Sequence, residues 1–145
     1  MKRRSKQNNT MSTRTTPENI TAISPTEIFV FGSNKEGMHH GGAARFALNF
    51  GAVIGIGEGL CGNTYAVPTM GTLEETAEAV TRMIDTAIST PDLTYLVTAI
   101  GCGIAGYTPE EIAPMFKDAI NFPNIHLPET FWKIIKNIPS GEFLV

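Results

Sequence analysis

The chain has 145 residues, of which 42% are hydrophobic and 17% charged, a composition typical of globular proteins rather than disordered or fibrous ones. Its formal net charge of −3 argues against general binding to a nucleic-acid backbone, which requires clustered lysine and arginine. One domain is expected, because a second would be too small to bury a core of its own.

The cysteines and the N-terminus bear on the compartment. Cys61 and Cys102 are too few for the disulfide framework of a small secreted domain, so reduced thiols are expected. No apolar run approaches the roughly 20 residues that a membrane-spanning helix needs. We therefore expect a cytoplasmic protein with no membrane partner. Residues 1–16 are polar and basic and predict a disordered tail, followed by a single α/β domain over 17–145.

The first part of the domain predicts a strand, a glycine loop and a helix. The apolar run Ile28–Phe31 is typical of a strand buried on both faces. A helix is expected to begin at Gly41-Gly42. Residues 51–63 are rich in glycine and predict a loop.

Strands and helices alternate through the rest of the chain. Capping signals precede two of the helices, Thr72 with Glu75 and Thr108 with Glu111. The predicted elements are a strand at 64–67, an amphipathic helix at 72–89, a strand at 95–100, a helix from 108 with Ile112, Met115, Phe116, Ala119 and Ile120 on its inner face, a strand at 124–127 and a closing segment at 131–135. This order predicts a mostly parallel sheet covered on both sides, a three-layer α/β/α sandwich.

Two glycine loops follow predicted strands, at 32–42 and 101–106. Ligands of parallel α/β sheets bind beyond the carboxyl ends of strands, where glycine lets backbone amides approach an oxyanion. Neither loop has the Walker or the Rossmann spacing. Phosphate binding is favoured, and plain tight turns are the alternative.

The second loop resembles a known family. Gly103-Ile104-Ala105-Gly106-Tyr107 after an apolar strand is similar to the macrodomain loop that wraps the diphosphate of ADP-ribose. Asn34, followed by Gly41-Gly42, resembles the asparagine and glycine loop that meet the distal ribose and its phosphate in that family. Asn19-Ile20-Thr21 is similar to its Asp-Ile-Thr turn near the adenine. The resemblance runs from about residue 18 to 127.

The chain also resembles a group of small, uncharacterised bacterial and phage proteins that share the Phe31–Asn34 and Tyr65–Thr69 segments. The macrodomain resemblance implies a macrodomain-like fold and a small-molecule partner, ADP-ribose or a related NAD-derived nucleotide. The ligand contacts that it implies are Asn19, Ser33, Gly41, Gly42, Gly101, Cys102, Gly103, Ile104, Ala105, Gly106 and Tyr107.

Catalysis is left open by the sequence. In the hydrolase branch of the family a lysine and an aspartate perform the chemistry, and Met70 and Ala105 stand at the matching positions, so a lysine-dependent mechanism is not expected. If ADP-ribosyl hydrolysis occurs, Asn34 would orient a water and His39 or His40 would take its proton. The alternative for both histidines is a solvated loop pair.

For the other candidate groups, a purely structural or solvated role is the alternative to a functional one. Cys102 could be a nucleophile at a helix N-terminus or a small packed residue. Tyr107 could stack on a ribose or base, or close the core. Glu58 in the glycine-rich loop could be a catalytic carboxylate or a solvated loop residue. The histidines and cysteines lack metal-ligand spacing, and neither a metal nor a cofactor is expected. A non-catalytic structural or phage–host interaction protein without a nucleotide ligand remains the alternative function.

Overall fold

The computed structural model describes residues 14–39 and 41–138. His40 and the predicted tail up to residue 13 lie outside the described residues. In chain order the elements are β1 (Glu27–Ser33), α1 (Gly42–Ala47), a 3₁₀ helix (Leu48–Phe50), β2 (Gly59–Cys61), β3 (Thr64–Pro68), α2 (Leu73–Ser89), β4 (Thr94–Val97), α3 (Pro109–Ile112), a second 3₁₀ helix (Ala113–Asn121), β5 (Ile125–His126) and α4 (Glu129–Lys136).

The five strands form one sheet in the order β2-β3-β1-β4-β5. β1 is central and pairs in parallel with both neighbours, so that Phe29 lies between Thr64 of β3 and Leu96 of β4. β5 is parallel to β4. These pairings confirm the prediction of a mostly parallel α/β sheet. The apolar run Ile28–Phe31 lies in the middle strand and is buried.

The predicted loop at 51–63 is wrong in part, because it contains β2. This strand pairs antiparallel with β3, and Gly62-Asn63 is the connection between them. Gly62 has φ +58, a conformation that favours glycine and suits a two-residue hairpin. The density of glycine concealed the strand, since glycine itself is a poor strand former.

The two faces of the sheet are covered unequally. Helices α2, α3 and α4 and the second 3₁₀ helix pack on one face around residues such as Val30, Val67 and Val97. The other face carries a small cluster of Phe29 and Phe31 against the six-residue α1. The thin cover on this second face leaves room for a cleft.

Capping and proline set the limits of the helices. The boxes of Thr72 with Glu75 and of Thr108 with Glu111 are both present, as predicted. The helix from 109 differs from its prediction, since it is α-helical only to Ile112 and continues as a 3₁₀ helix. Pro114 has no N–H to bond back along an α-helix, which explains the change. Ile120, expected on the inner face, is 38% exposed.

The predicted strand at 95–100 is shorter than expected. β4 ends at Val97, and the hydroxyl and N–H of the next residue, Thr98, both donate to the carbonyl of Val30. The residues from Thr98 onward therefore belong to the loop at the carboxyl edge, where the candidate site lies.

The predicted disordered tail over residues 1–16 is wrong at its C-terminal end, because residues 14–16 belong to the fold. Thr16 N–H donates to the carbonyl of Leu127 and Leu127 N–H donates to that of Arg14, which makes a parallel bridge beside β5. Arg14 is 8% exposed. From there the chain crosses the thinly covered face toward β1, and we call residues 17–23 the strap. In the described part of the chain, no helix has both the length and the apolar character needed to cross a bilayer.

Candidate functional site

The first predicted loop uses its polar side chains to hold its own shape. Asn34 Oδ1 accepts a 2.8 Å hydrogen bond from Met38 N–H, which closes a turn. Ser33 Oγ donates to the carbonyl of Gly57 at 2.5 Å, and Ser33 is 6% exposed. Ser33 is therefore a buried structural residue rather than the ligand contact that was expected.

His39 is buried instead of solvated. Its side chain is 2% exposed and packs edge-on against Phe31, with the ring centroids 5.2 Å apart. Neither ring nitrogen has a hydrogen-bond partner in the described structure. The solvated alternative is wrong for His39, because its imidazole is almost fully buried. His40, the other candidate base, lies outside the described residues.

The start of α1 presents open backbone, as the first loop predicted. A Cβ built on Gly41 or Gly42 would have no heavy atom within 4 Å. Gly41 is the N-cap residue, and no side chain caps the helix. Backbone groups of this segment are therefore accessible to a ligand.

The second predicted loop is closed by its own turns. Gly106 N–H donates to the carbonyl of Gly103 at 3.0 Å, and Tyr107 N–H donates to that of Gly101 at 2.9 Å. Gly103 and Gly106 face open space, and Ile104 is 83% exposed at the tip. The loop has the accessible backbone that a phosphate site requires.

Cys102 and Tyr107 have structural contacts. Cys102 packs against the main core, and burial raises the pKa of its thiol, with a further increase from the carboxylates of Glu110 and Glu111. A nucleophile needs a lowered pKa, so the packed-residue alternative fits better. The Tyr107 hydroxyl donates to the carbonyl of Gly71 at 2.5 Å and joins the second loop to the start of α2.

A cleft of about 790 Å³ lies on the thinly covered face of the sheet. It contains two predicted ligand residues, Asn19 and Gly42. Its floor includes Phe29 and Phe46, whose rings meet edge-on with centroids 5.7 Å apart. The other lining residues are Thr15, Thr16, Pro17, Glu18, Ile20, Thr21, Ala43, Thr98, Ala99, Pro128, Glu129, Thr130 and Lys133.

Several of these residues were missed by the sequence analysis. Phe46 follows Gly41-Gly42 in the first predicted helix and was not named as a ligand contact, and the first turn of α4 was not connected with the site. The N-cap proline before Glu129 was the available signal for a helix start there. Nothing in the local sequence indicates that this turn and Asn19 line the same cleft, because the two are far apart along the chain.

Asn34 lies in a different and smaller cavity, of about 260 Å³, with Lys35, Met70 and Arg82 among its lining residues. The macrodomain resemblance implied that Asn34 lies near Gly41 and Gly42, but Gly42 lines the large cleft and Asn34 the small cavity. Glu58 is paired rather than solvated, since its carboxylate accepts hydrogen bonds of 2.6 and 3.1 Å from Arg82.

The described cleft residues include three charged side chains. The cleft wall carries the carboxylates of Glu18 and Glu129 and the ammonium of Lys133, and neither imidazole nor thiol is among its described lining residues. Across residues 14–39 and 41–138, no three histidine, cysteine or acidic side chains are grouped to hold a metal ion. No protein-family model, curated protein or solved structure matches the chain.

Proposed function

We propose that the chain binds ADP-ribose or a related NAD-derived nucleotide in the large cleft. The observation that carries the proposal is the meeting of Asn19-Ile20-Thr21, the segment expected beside adenine, with Gly42 at a helix start in one cleft. The volume of about 790 Å³ lies within the range of about 300 to 1,000 Å³ that is usual for small-molecule sites.

The nucleobase fits the aromatic part of the cleft. Phe29 and Phe46 offer apolar surface for the faces of the base. The strap offers its polar edge, because residues 17–23 make no hydrogen bond within the described part of the chain. Their backbone N–H and C=O groups are thus free to pair with the heteroatoms of a base.

The phosphates are expected at the open glycines rather than at a cationic patch. Lys133 is the cation of the described cleft wall, and it lies 3.8 Å from the carboxylate of Glu129, which offsets its charge. Gly42 lies on the cleft wall and leaves backbone that an oxyanion can approach. The second loop is not among the lining residues of the cleft; Gly103 there also faces open space, whereas the Gly106 N–H is bonded to the Gly103 carbonyl. This arrangement agrees with an acidic protein that holds an anion by local geometry.

The same contacts favour binding over turnover. Asn34 is occupied by the Met38 N–H and lies outside the cleft, and His39 is buried. Met70 is 52% exposed at the position where the hydrolase branch has its lysine. Hydrolysis through Asn34 and His39 would require a different arrangement of the first loop.

Calorimetric titration of the full chain with ADP-ribose, AMP and NAD tests the proposal. Ala43→Phe should fill the cleft from the exposed side of α1 and weaken binding at least about tenfold, since it occupies ligand volume. Arg45→Phe is the matched control, because Arg45 is exposed on the same helix outside the cleft and should keep wild-type affinity. Absence of binding to all three ligands at millimolar concentration would favour the interaction protein without a nucleotide.

The adenine end is tested by Asn19→Asp. A carboxylate accepts from the exocyclic amine of adenine more strongly than an amide does, by about 1 kcal/mol. AMP and ADP-ribose should therefore bind about fivefold more tightly to the variant, while ribose 5-phosphate should bind equally to both proteins. Equal gains or losses for all three compounds would place the base elsewhere.

A further inference from the structure

Arg14 lies behind the wall of the large cleft and is fixed by backbone carbonyls. Its guanidinium donates hydrogen bonds of 2.6 Å to Ala119, 3.3 Å to Ile120, 2.9 Å to Phe122 and 3.0 Å to Ile125. These carbonyls belong to the end of the second 3₁₀ helix and to the region of β5. The side chain therefore joins the beginning of the described chain to its last strand.

The same residue is attached to α4, whose first turn forms one wall of the cleft. The guanidinium carbon lies 4.9 Å from the centroid of the Trp132 ring, and the indole N–H donates a 3.0 Å hydrogen bond to the carbonyl of Arg14. Pro128, Glu129 and Thr130, at the start of that helix, line the cleft.

The strap forms another part of the cleft wall. Its hydrogen bonds are confined to its ends, while Ile20 and Ile23 along it pack against the small cluster of Phe29 and Phe31. After the bridge between Thr15 and Leu127, residues 17–23 make no hydrogen bond within the described part of the chain. The next attachments are at Ser24, whose N–H donates to the carboxylate of Glu27, and at Pro25, whose carbonyl accepts from Asn63. The position of the strap thus depends on the bridge at its start, on the packing of Ile20 and Ile23 and on the attachments at its end.

Arg14 is not among the residues that line the cleft, and in the described structure no carboxylate forms a salt bridge with it. A buried cation without a countercharge is costly to hold. Its carbonyl contacts compensate part of that cost at the carboxyl end of the 3₁₀ helix, where the helix dipole favours a cation.

We propose that Arg14 is a positioning residue of the nucleotide cleft, which fixes the start of the strap against the first turn of α4. The inference rests on the proposed function. A nucleotide held between two walls gains affinity when both are fixed in advance, because less freedom is lost on binding. Arg14 acts on the ligand through the strap and makes no contact with it.

The test compares Arg14→Met, which keeps the length of the side chain without its charge and donors, with Val80→Ala in the core of α2. Val80 is fully buried and remote from the cleft residues, and its variant serves as a destabilised control. AMP is the probe for calorimetry. Hydrogen exchange of the free proteins reports the amides of Thr16 and Leu127, which form the bridge.

We expect Arg14→Met to bind AMP about tenfold more weakly than wild type, and Val80→Ala to keep wild-type affinity despite a lower Tm. The amides of Thr16 and Leu127 should lose protection in Arg14→Met alone. Arg14→Lys should give intermediate values of AMP affinity and of amide protection. This variant replaces Arg14→Met if Arg14→Met does not fold. Wild-type AMP affinity in Arg14→Met, or an equal loss in Val80→Ala, would overturn the inference.

Failure of the proposed function gives a different result. In that case the wild type binds neither AMP nor ADP-ribose, while the exchange of Thr16 and Leu127 still reports whether Arg14 holds the strap. Unchanged protection of both amides in Arg14→Met and Arg14→Lys would overturn the positioning role without reference to any ligand.

Discussion

The hydroxyl of Tyr107 donates a 2.5 Å hydrogen bond to the backbone carbonyl of Gly71. The contact joins the loop after β4 to the loop after β3, next to the exposed Met70. The two loops at the carboxyl edge of the sheet are therefore coupled, and the phenol that could have met a ligand has a structural partner.

Tyr107→Phe should separate the two loops without disturbing the core. The ring keeps its packing against the main cluster, and the loss of one partly exposed hydrogen bond should cost about 0.5 to 1.5 kcal/mol of unfolding free energy in urea. Exchange of the amides at 70–72 should become faster. A variant as stable as wild type, with unchanged exchange, would show that the hydrogen bond is not kept in solution.

Two truncations should behave differently. A chain beginning at residue 14 keeps Arg14 and the bridge to Leu127 and should unfold at the same urea concentration as the full chain. A chain beginning at residue 17 removes the buried guanidinium and leaves the carbonyls of Ala119 and Ile125 without this donor. It should lose several kcal/mol, since unpaired buried polar groups cost about 1 to 3 kcal/mol each. Equal stability of the two truncated chains would contradict the role of Arg14.

Gly103→Val and Gly106→Val separate ligand contact from backbone strain. Gly106 has φ +84, where a branched residue is strained by about 1 to 3 kcal/mol, whereas Gly103 has no positive φ. Neither position has a neighbour that a Cβ would strike. Both variants should lose ADP-ribose binding, and only Gly106→Val should be less stable. Circular dichroism and titration on the same samples decide this, and a folded Gly103→Val with wild-type affinity would remove the second loop from the site.

His126 should make stability depend on pH between neutrality and mild acid. Burial lowers the pKa of its imidazole, and the charge of Arg14 lowers it further, while Glu27 acts in the opposite direction. The unfolded chain then binds a proton at a higher pH than the folded chain. Stability is therefore complete above the ordinary histidine pKa, near 6.5, and is lost as the pH falls through the lower folded value.

Urea unfolding at a series of pH values checks this expectation. His126→Gln cannot take up a proton and should lose less stability between pH about 7.5 and about 5.5 than the wild type does. The difference between the two proteins removes the contributions of groups that both proteins share. Parallel stability curves would contradict the assignment to His126.

Local sequence determined most of the secondary structure. Ile28–Phe31 forms the central strand because an apolar run of that length is buried on both faces, and Thr72 with Glu75 starts α2 because each side chain satisfies a free N–H of the other residue. The open backbone at Gly42 and Gly103 was also predictable, since glycine supplies it without help from the rest of the fold.

Only the tertiary structure decided which of these pieces meet. Arg14 looked like part of a polar tail, yet it is buried by carbonyls more than a hundred positions away along the chain. Asn19 and Gly42 share one cleft while Asn34 lies in another cavity, although Asn34 is nearer to Gly42 in sequence. Hydrophobic periodicity and capping signals act over a few residues. Burial and cavity formation depend on contacts between segments that are distant along the chain, so local sequence patterns do not predict them.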